Sequence, residues 1–219
     1  VNPLARAGFE VYFTNRWPGM APDTTFADVA DRHADAILDR FGKPVDVLGH
    51  STGGSLTLQL IADRPDVVRK AVVASAAYTL GPVAKRDQRE LLDALEATGR
   101  YSAEAIMDGL DGFVRSRWVR TLFAPLAMVA ARLITVENPA DAIAMLRAED
   151  HFDVRDRLGD ILTETLVICG ARDYYWTPEM FAETACRLPQ GKLIMYPNRG
   201  HAIVTAPEFA RDVAAFLRA

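Results

Sequence analysis

Apolar positions along the chain change period several times, and the changes mark its elements. Phe26, Val29, Ala30, His33, Ala34, Ile37, Leu38 and Phe41 fall three and four apart, which predicts a helix with one buried face. Gly42 is placed to stop it, with Pro44 behind. Short β-rich runs stand elsewhere: 9–14, 45–49, 70–75, 165–169 and 192–196. Helical patterns over about 52–63, 178–187 and 207–217 lie between or after them. Strand alternating with helix predicts an α/β fold, a mostly parallel sheet covered on both faces.

From about 81 to 150 the alternation stops. Helical patterns succeed one another over 87–98, 102–110, about 113–120, 121–135 and 139–148, the last opened by Asn138-Pro139. The expected organisation is one α/β core, residues 1–80 and 151–219, interrupted by a helical insertion at 81–150.

Composition narrows the function classes. The 219 residues are half hydrophobic, enough for one sizeable core. They carry 25 basic against 29 acidic side chains, net −4, with no basic stripe among aromatics, which argues against nucleic acid. The most apolar stretch, Thr121 to Val136, is broken by Pro125 and Arg132 and is shorter than the ~20 residues a bilayer span needs. A soluble, cytoplasmic protein is expected, with a homodimer allowed for. Cys169 and Cys186 read as buried thiols rather than a disulfide framework.

The chemistry concentrates at Val45-Asp-Val-Leu-Gly-His-Ser51-Thr-Gly-Gly, where Gly-His-Ser-Thr-Gly sits between a strand and a helix. A serine on so sharp a turn is pushed out of the sheet, and the glycines two before and two after it, Gly49 and Gly53, are read as positions that exclude a β-carbon. Alone the match is a modest signal. Downstream, Cys169-Gly-Ala-Arg-Asp173 puts an acid after a strand and Asn198-Arg-Gly-His201 puts a histidine after the next. A serine hydroxyl needs a base that titrates near neutrality, which makes His201 the candidate, and a carboxylate on the far imidazole nitrogen, which makes Asp173 the candidate. The amide of Thr52, at a helix start, is aimed to stabilise an oxyanion.

Each residue also has a plainer reading: Ser51 as a helix N-cap, Asp173 as a turn-capping acid, His201 as a surface-loop histidine. Their occurrence in the order nucleophile, acid, base argues against all three at once. His33 reads as a packed histidine, His50 as a spacer in the elbow and His151 as a solvated loop residue. No His, Cys or acidic pair has metal-ligand spacing, so no metal and no cofactor are expected. Arg115, Arg117 and Arg120 read as a solvated helix face. Phe113, Trp118, Leu122, Phe123, Leu126, Met128 and Val129 make the insertion apolar, either as packing or as pocket wall.

On Gly49-His50-Ser51-Thr52-Gly53, on Gly170-Ala-Arg-Asp173 with Pro178, and on Gly200-His201, the chain resembles the α/β-hydrolase family over nearly its whole length. The resemblance implies that 81–150 is the family's cap. It also implies a second oxyanion donor from a loop after an earlier strand; this sequence opens in what reads as the helix following that loop, so the family's N-terminal strands are expected to be missing. Either those strands belong to a part upstream of Val1, or segments 9–14 and 45–49 pair directly through a right-handed crossover in a five-stranded sheet. The resulting expectation is a serine hydrolase acting on esters of small to medium apolar substrates. Thioester, lactone and carbon–carbon bond hydrolysis remain open, as does a non-catalytic binding protein of the same fold.

Overall fold

The computed structural model describes residues 3–100, 126, 129, 136 and 138–219. A short helix α1 (Pro3–Arg6) leads to α2 (Phe26–Phe41), β1 (Val45–His50), α3 (Thr52–Asp63), β2 (Val68–Ala74) and α4 (Pro82–Thr98). After the undescribed segment come α5 (Pro139–Asp150), β3 (Glu164–Gly170), α6 (Pro178–Arg187), β4 (Gly191–Tyr196) and α7 (Phe209–Arg218). The four strands form a parallel sheet in the order β1-β2-β3-β4.

Side-chain alternation splits the core into two layers. Ala71, Val73, Val167 and Cys169 face α2, α3 and α6, whereas Val72, Ala74, Leu166 and Ile168 face α7. A strand buried on both faces has no polar side, which is why β2 and β3 read as continuous apolar runs. On the second layer Phe209, Val213, Phe216 and Leu217 cover the sheet, each buried side chain contributing roughly 1.5–3 kcal/mol.

Helix α2 follows the sequence pattern closely. Thr25 caps it: its hydroxyl accepts the Asp28 N–H while the Asp28 carboxylate accepts the Thr25 N–H. Gly42 closes it at φ 63°. Leu38, placed on the apolar stripe, is exposed.

Segment 9–14 is a correction. It runs without a ladder partner, and no fifth strand joins the sheet among the described residues. A strand exists only with a neighbour to take its N–H and C=O groups, and β1 pairs with β2 alone. Phe9 instead packs against the α7 layer, Tyr12 meets Phe41 edge-on, and Phe13 is 86% exposed. Cys186 is the second correction, since it lies on the solvent side of α6, whereas Cys169 is buried.

Helix α4 begins five residues before the expected 87, at Pro82, and α5 extends to Asp150. The expected helices 102–110 and 113–120 lie outside the described residues, as does 121–135 apart from Leu126 and Val129, and with them Arg115, Arg117, Arg120, Phe113, Trp118, Leu122, Phe123 and Met128. Leu126 and Val129 are helical and exposed. No helix among the described residues is long and apolar enough to cross a membrane.

Candidate active site

The turn after β1 is strained at Ser51, which sits at φ 57°, ψ −125°, a region L-residues rarely adopt. Its N–H donates to Ala74 O at 2.9 Å, tying the turn to the end of β2. The Ser51 hydroxyl makes no capping bond to α3. It faces the His201 imidazole, with Oγ to Nε2 at 3.0 Å, so the plain N-cap reading does not describe it.

Glycine is required at only one of the two expected positions. A β-carbon on Gly49 would lie 1.9 Å from Gly53 O, but one on Gly53 would meet nothing. The second crowded position is Gly54, where a β-carbon would fall 2.6 Å from the Ala76 side chain and 3.1 Å from Ala74 O. The elbow is therefore close-packed through Gly49 and Gly54.

Asp173 leaves the end of β3 in a tight turn, its N–H donating to Gly170 O at 3.1 Å. The carboxylate is wholly buried. Oδ1 accepts the N–H groups of Tyr175 (2.8 Å) and Trp176 (3.3 Å), and Oδ2 lies 3.0 Å from His201 Nδ1. A carboxylate there takes the Nδ1–H and leaves Nε2 as the acceptor facing Ser51. Sequence order thus becomes one hydrogen-bonded line, Ser51 to His201 to Asp173.

Four supporting residues lie outside what the sequence pattern revealed. The His201 carbonyl accepts the Ser75 hydroxyl at 2.8 Å and lies 3.0 Å from His50 Nε2, so His50 is more than a spacer. Burial lowers the His50 pKa, which keeps that ring neutral. Ser75 is itself at φ 49°. Trp176 stacks on the His201 ring, centroids 5.7 Å apart and planes 9° apart, while Tyr175 meets it edge-on at 4.7 Å. The aromatic run Tyr174-Tyr175-Trp176 directly after the candidate acid was the available signal for the last two.

Thr52 opens α3, where its N–H has no intrahelical acceptor. Its hydroxyl donates to Glu149 Oε2 at 2.9 Å, a contact no sequence motif announced.

The family model described as Alpha/beta hydrolase family matches residues 1–216. The chain belongs to the alpha/beta hydrolase family. Among its relatives is a protein named carbamate hydrolase RutD from Rhizobium rhizogenes, 31% identical over 94% of this chain and 79% of the relative. A pimeloyl-acyl-carrier protein methyl ester esterase of Neisseria meningitidis serogroup B is 27% identical over 84% of this chain and 72% of the esterase. Of solved structures, a hydrolase from Pseudomonas aeruginosa PA01 superposes with TM-score 0.70 at 24% identity, over 89% of this chain and 72% of that one. The enol-lactonase of Burkholderia xenovorans LB400 gives TM-score 0.70 at 20% identity, over 92% and 76%. At those identities the likeness speaks for the alpha/beta hydrolase fold alone.

Within this alpha/beta hydrolase the other histidines stand apart from the site. His33 is half-buried against Thr14, with its pKa lowered by burial, and His151 is exposed with Nδ1 on the Arg147 carbonyl. Burial pushes the Cys169 thiol up to about 12, so it is inert as a nucleophile. Among the described residues no cluster of three His, Cys, Asp or Glu side chains could hold a metal ion.

Proposed function

We propose that this alpha/beta hydrolase is a serine hydrolase that cleaves carboxylic esters of small to medium apolar substrates. The observation that carries the reading is the line of two 3.0 Å contacts from Ser51 Oγ through His201 to Asp173. Ser51 Oγ attacks the carbonyl carbon while its proton passes to His201 Nε2. Asp173 holds the resulting imidazolium, its other oxygen already satisfied by two backbone N–H groups. The Thr52 N–H donates to the oxyanion, at a helix start whose partial positive charge favours it.

Collapse of the tetrahedral intermediate breaks the bond to the alcohol, which leaves with the proton held by His201 and leaves an acyl group on Ser51. A water then gives a proton to His201 and its oxygen to the acyl carbon, and the acid departs as Ser51 recovers its proton. No cofactor enters this sequence. By the family resemblance the insertion 81–150, in large part outside the described residues, is assigned as the cap, and substrate choice would be made there.

The names of the two relatives, a carbamate hydrolase and a methyl ester esterase, support acyl-carbon hydrolysis as the reaction class. Thioesters, lactones and activated carbon–carbon bonds would pass through the same steps. A fluorophosphonate probe, read by mass spectrometry beside turnover of p-nitrophenyl butyrate, tests the reading. Label confined to Ser51, with both label and turnover lost in Ser51→Ala, is the expected result. A folded chain that takes no label and turns over no ester would instead be a binding protein of this fold.

A further inference from the structure

Glu149 is an acid with no evident reason to be where it is. It lies in the last turn of α5 and is 1% exposed. Oε2 accepts the Thr52 hydroxyl at 2.9 Å, while Oε1 has no hydrogen-bond partner among the described residues. The Ser55 hydroxyl, one turn further along α3, is equally buried and likewise has no partner among the described residues; it is near enough to ease ionisation of Glu149 but does not meet hydrogen-bond geometry. A buried carboxylate normally has a cation or several N–H donors, because uncompensated charge in the interior is costly. Here the described residues provide one hydroxyl.

Among the described residues the neighbouring elements supply no counter-charge. Helix α3 faces Glu149 with Thr52 and Ser55; its acid at the far end, Asp63, pairs with Arg157. Helix α4 meets α5 through Glu96 on Arg147 and through Gln88 on the Leu146 carbonyl. The turn before α2 meets it through Asp141, whose carboxylate accepts the Gly19 and Met20 N–H groups. Beyond Ser51 the other titrating groups are His201, Asp173 and His50, none of which figures in the causes of the Glu149 shift. Burial outweighs the easing effect of the Thr52 and Ser55 hydroxyls and pushes its carboxyl up to about 7.

We propose that Glu149 is a positioning residue for acyl transfer, which in its protonated form holds the Thr52 hydroxyl and so fixes the amide that follows Ser51. Protonated, it is neutral and leaves the first turn of α3 undisturbed. Ionised, it puts a negative charge beside the residue whose N–H must receive a second negative charge in the transition state, and catalysis falls. The inference rests on the serine-hydrolase reading above, and helix α5 becomes the route by which pH reaches the oxyanion donor.

The test is the pH dependence of kcat and KM for p-nitrophenyl butyrate, followed at the product's isosbestic wavelength, in the wild type, Glu149→Gln and Glu149→Ala. In the wild type kcat should fall by roughly tenfold as pH rises through about 7, a fraction of the effect of losing an oxyanion donor. The rising limb of a histidine base should remain in every variant. Glu149→Gln, neutral at every pH and still able to accept from Thr52, should lose the falling limb with KM unchanged. Glu149→Ala should lower kcat throughout, and the Gln variant should rescue it; if the Ala variant does not fold, the Gln profile decides alone. A Gln profile superimposable on that of the wild type, or one scaled by the same factor at all pH values, overturns the role of Glu149. Absence of both turnover and Ser51 labelling in the wild type overturns the serine-hydrolase reading first, and this inference with it.

Discussion

The Trp176 indole lies flat against the His201 imidazole, 5.7 Å between centroids with the planes 9° apart. Trp176 is buried, and its Nε1–H donates to Thr79 O at 2.9 Å, so the indole is itself fixed. With Tyr175 edge-on, the imidazole is confined to the plane in which Nδ1 meets Asp173 and Nε2 meets Ser51. Trp176→Leu removes that wall. The expected outcome is a fall in kcat of about 10–100-fold, because a small misplacement of a catalytic group is costly, with KM little changed. Trp176→Phe should recover most of the rate, which steady-state kinetics of the two variants would show.

The second contact on the histidine is through its backbone. Ser75 donates its hydroxyl to the His201 carbonyl from a residue held at φ 49°. Ser75→Ala loses the hydrogen bond and keeps the strained backbone, at an expected cost of about 1–2 kcal/mol. Ser75→Gly loses the same bond but relieves the strain, so it should recover up to ~1 kcal/mol of that loss. Urea denaturation of the pair measures the difference; equal losses would show that the φ at 75 stores no strain.

At the elbow the expected order of glycine tolerance departs from the five-residue motif. Gly49→Ala must displace the Gly53 carbonyl from 1.9 Å, and Gly54→Ala must displace Ala76, so both should fold poorly or lose activity. Gly53→Ala has open space and a helical position, and should be neutral or stabilising by up to ~0.5 kcal/mol. Thermal melts of the three variants check this, and a Gly53→Ala variant as damaged as Gly49→Ala would contradict the packing described.

This departure shows which parts of the molecule could be read from residues alone. Helices α2, α3 and α6 and strands β1 to β4 follow from local period, caps and β-branched runs, and helix α3 begins and ends where the pattern places it. The placing of an acid and a histidine after successive parallel strands brings Asp173 and His201 to the same sheet end as Ser51, because parallel strands present their C-terminal loops together. What stayed hidden depends on distant partners. Segment 9–14 has strand-like composition but no neighbour in the sheet, and the difference between Gly53 and Gly54 depends on Ala76. His50 and Ser75 were invisible as supports because the group they hold is a backbone carbonyl some 150 and 126 residues away.

The burial of Glu149 should also appear in stability, independently of any substrate. Its carboxyl titrates at about 7 in the folded chain against an ordinary value of 4.5, so the unfolded chain loses the proton first. Below about 4.5 both states are protonated and there is no ionisation penalty; as pH rises from there the unfolded state is increasingly favoured, until above about 7 both are ionised and the full penalty stands. That penalty is roughly 3–4 kcal/mol, from 1.36 kcal/mol for each pH unit between the two values. Glu149→Gln cannot ionise, so its stability relative to wild type should grow across the same window and level off beyond it. Urea denaturation of both proteins at a series of pH values reads the gap directly. A gap that stays constant with pH would mean that the carboxyl ionises in the fold as it does in water, and that the polar contacts of Thr52 and Ser55 compensate its burial in full.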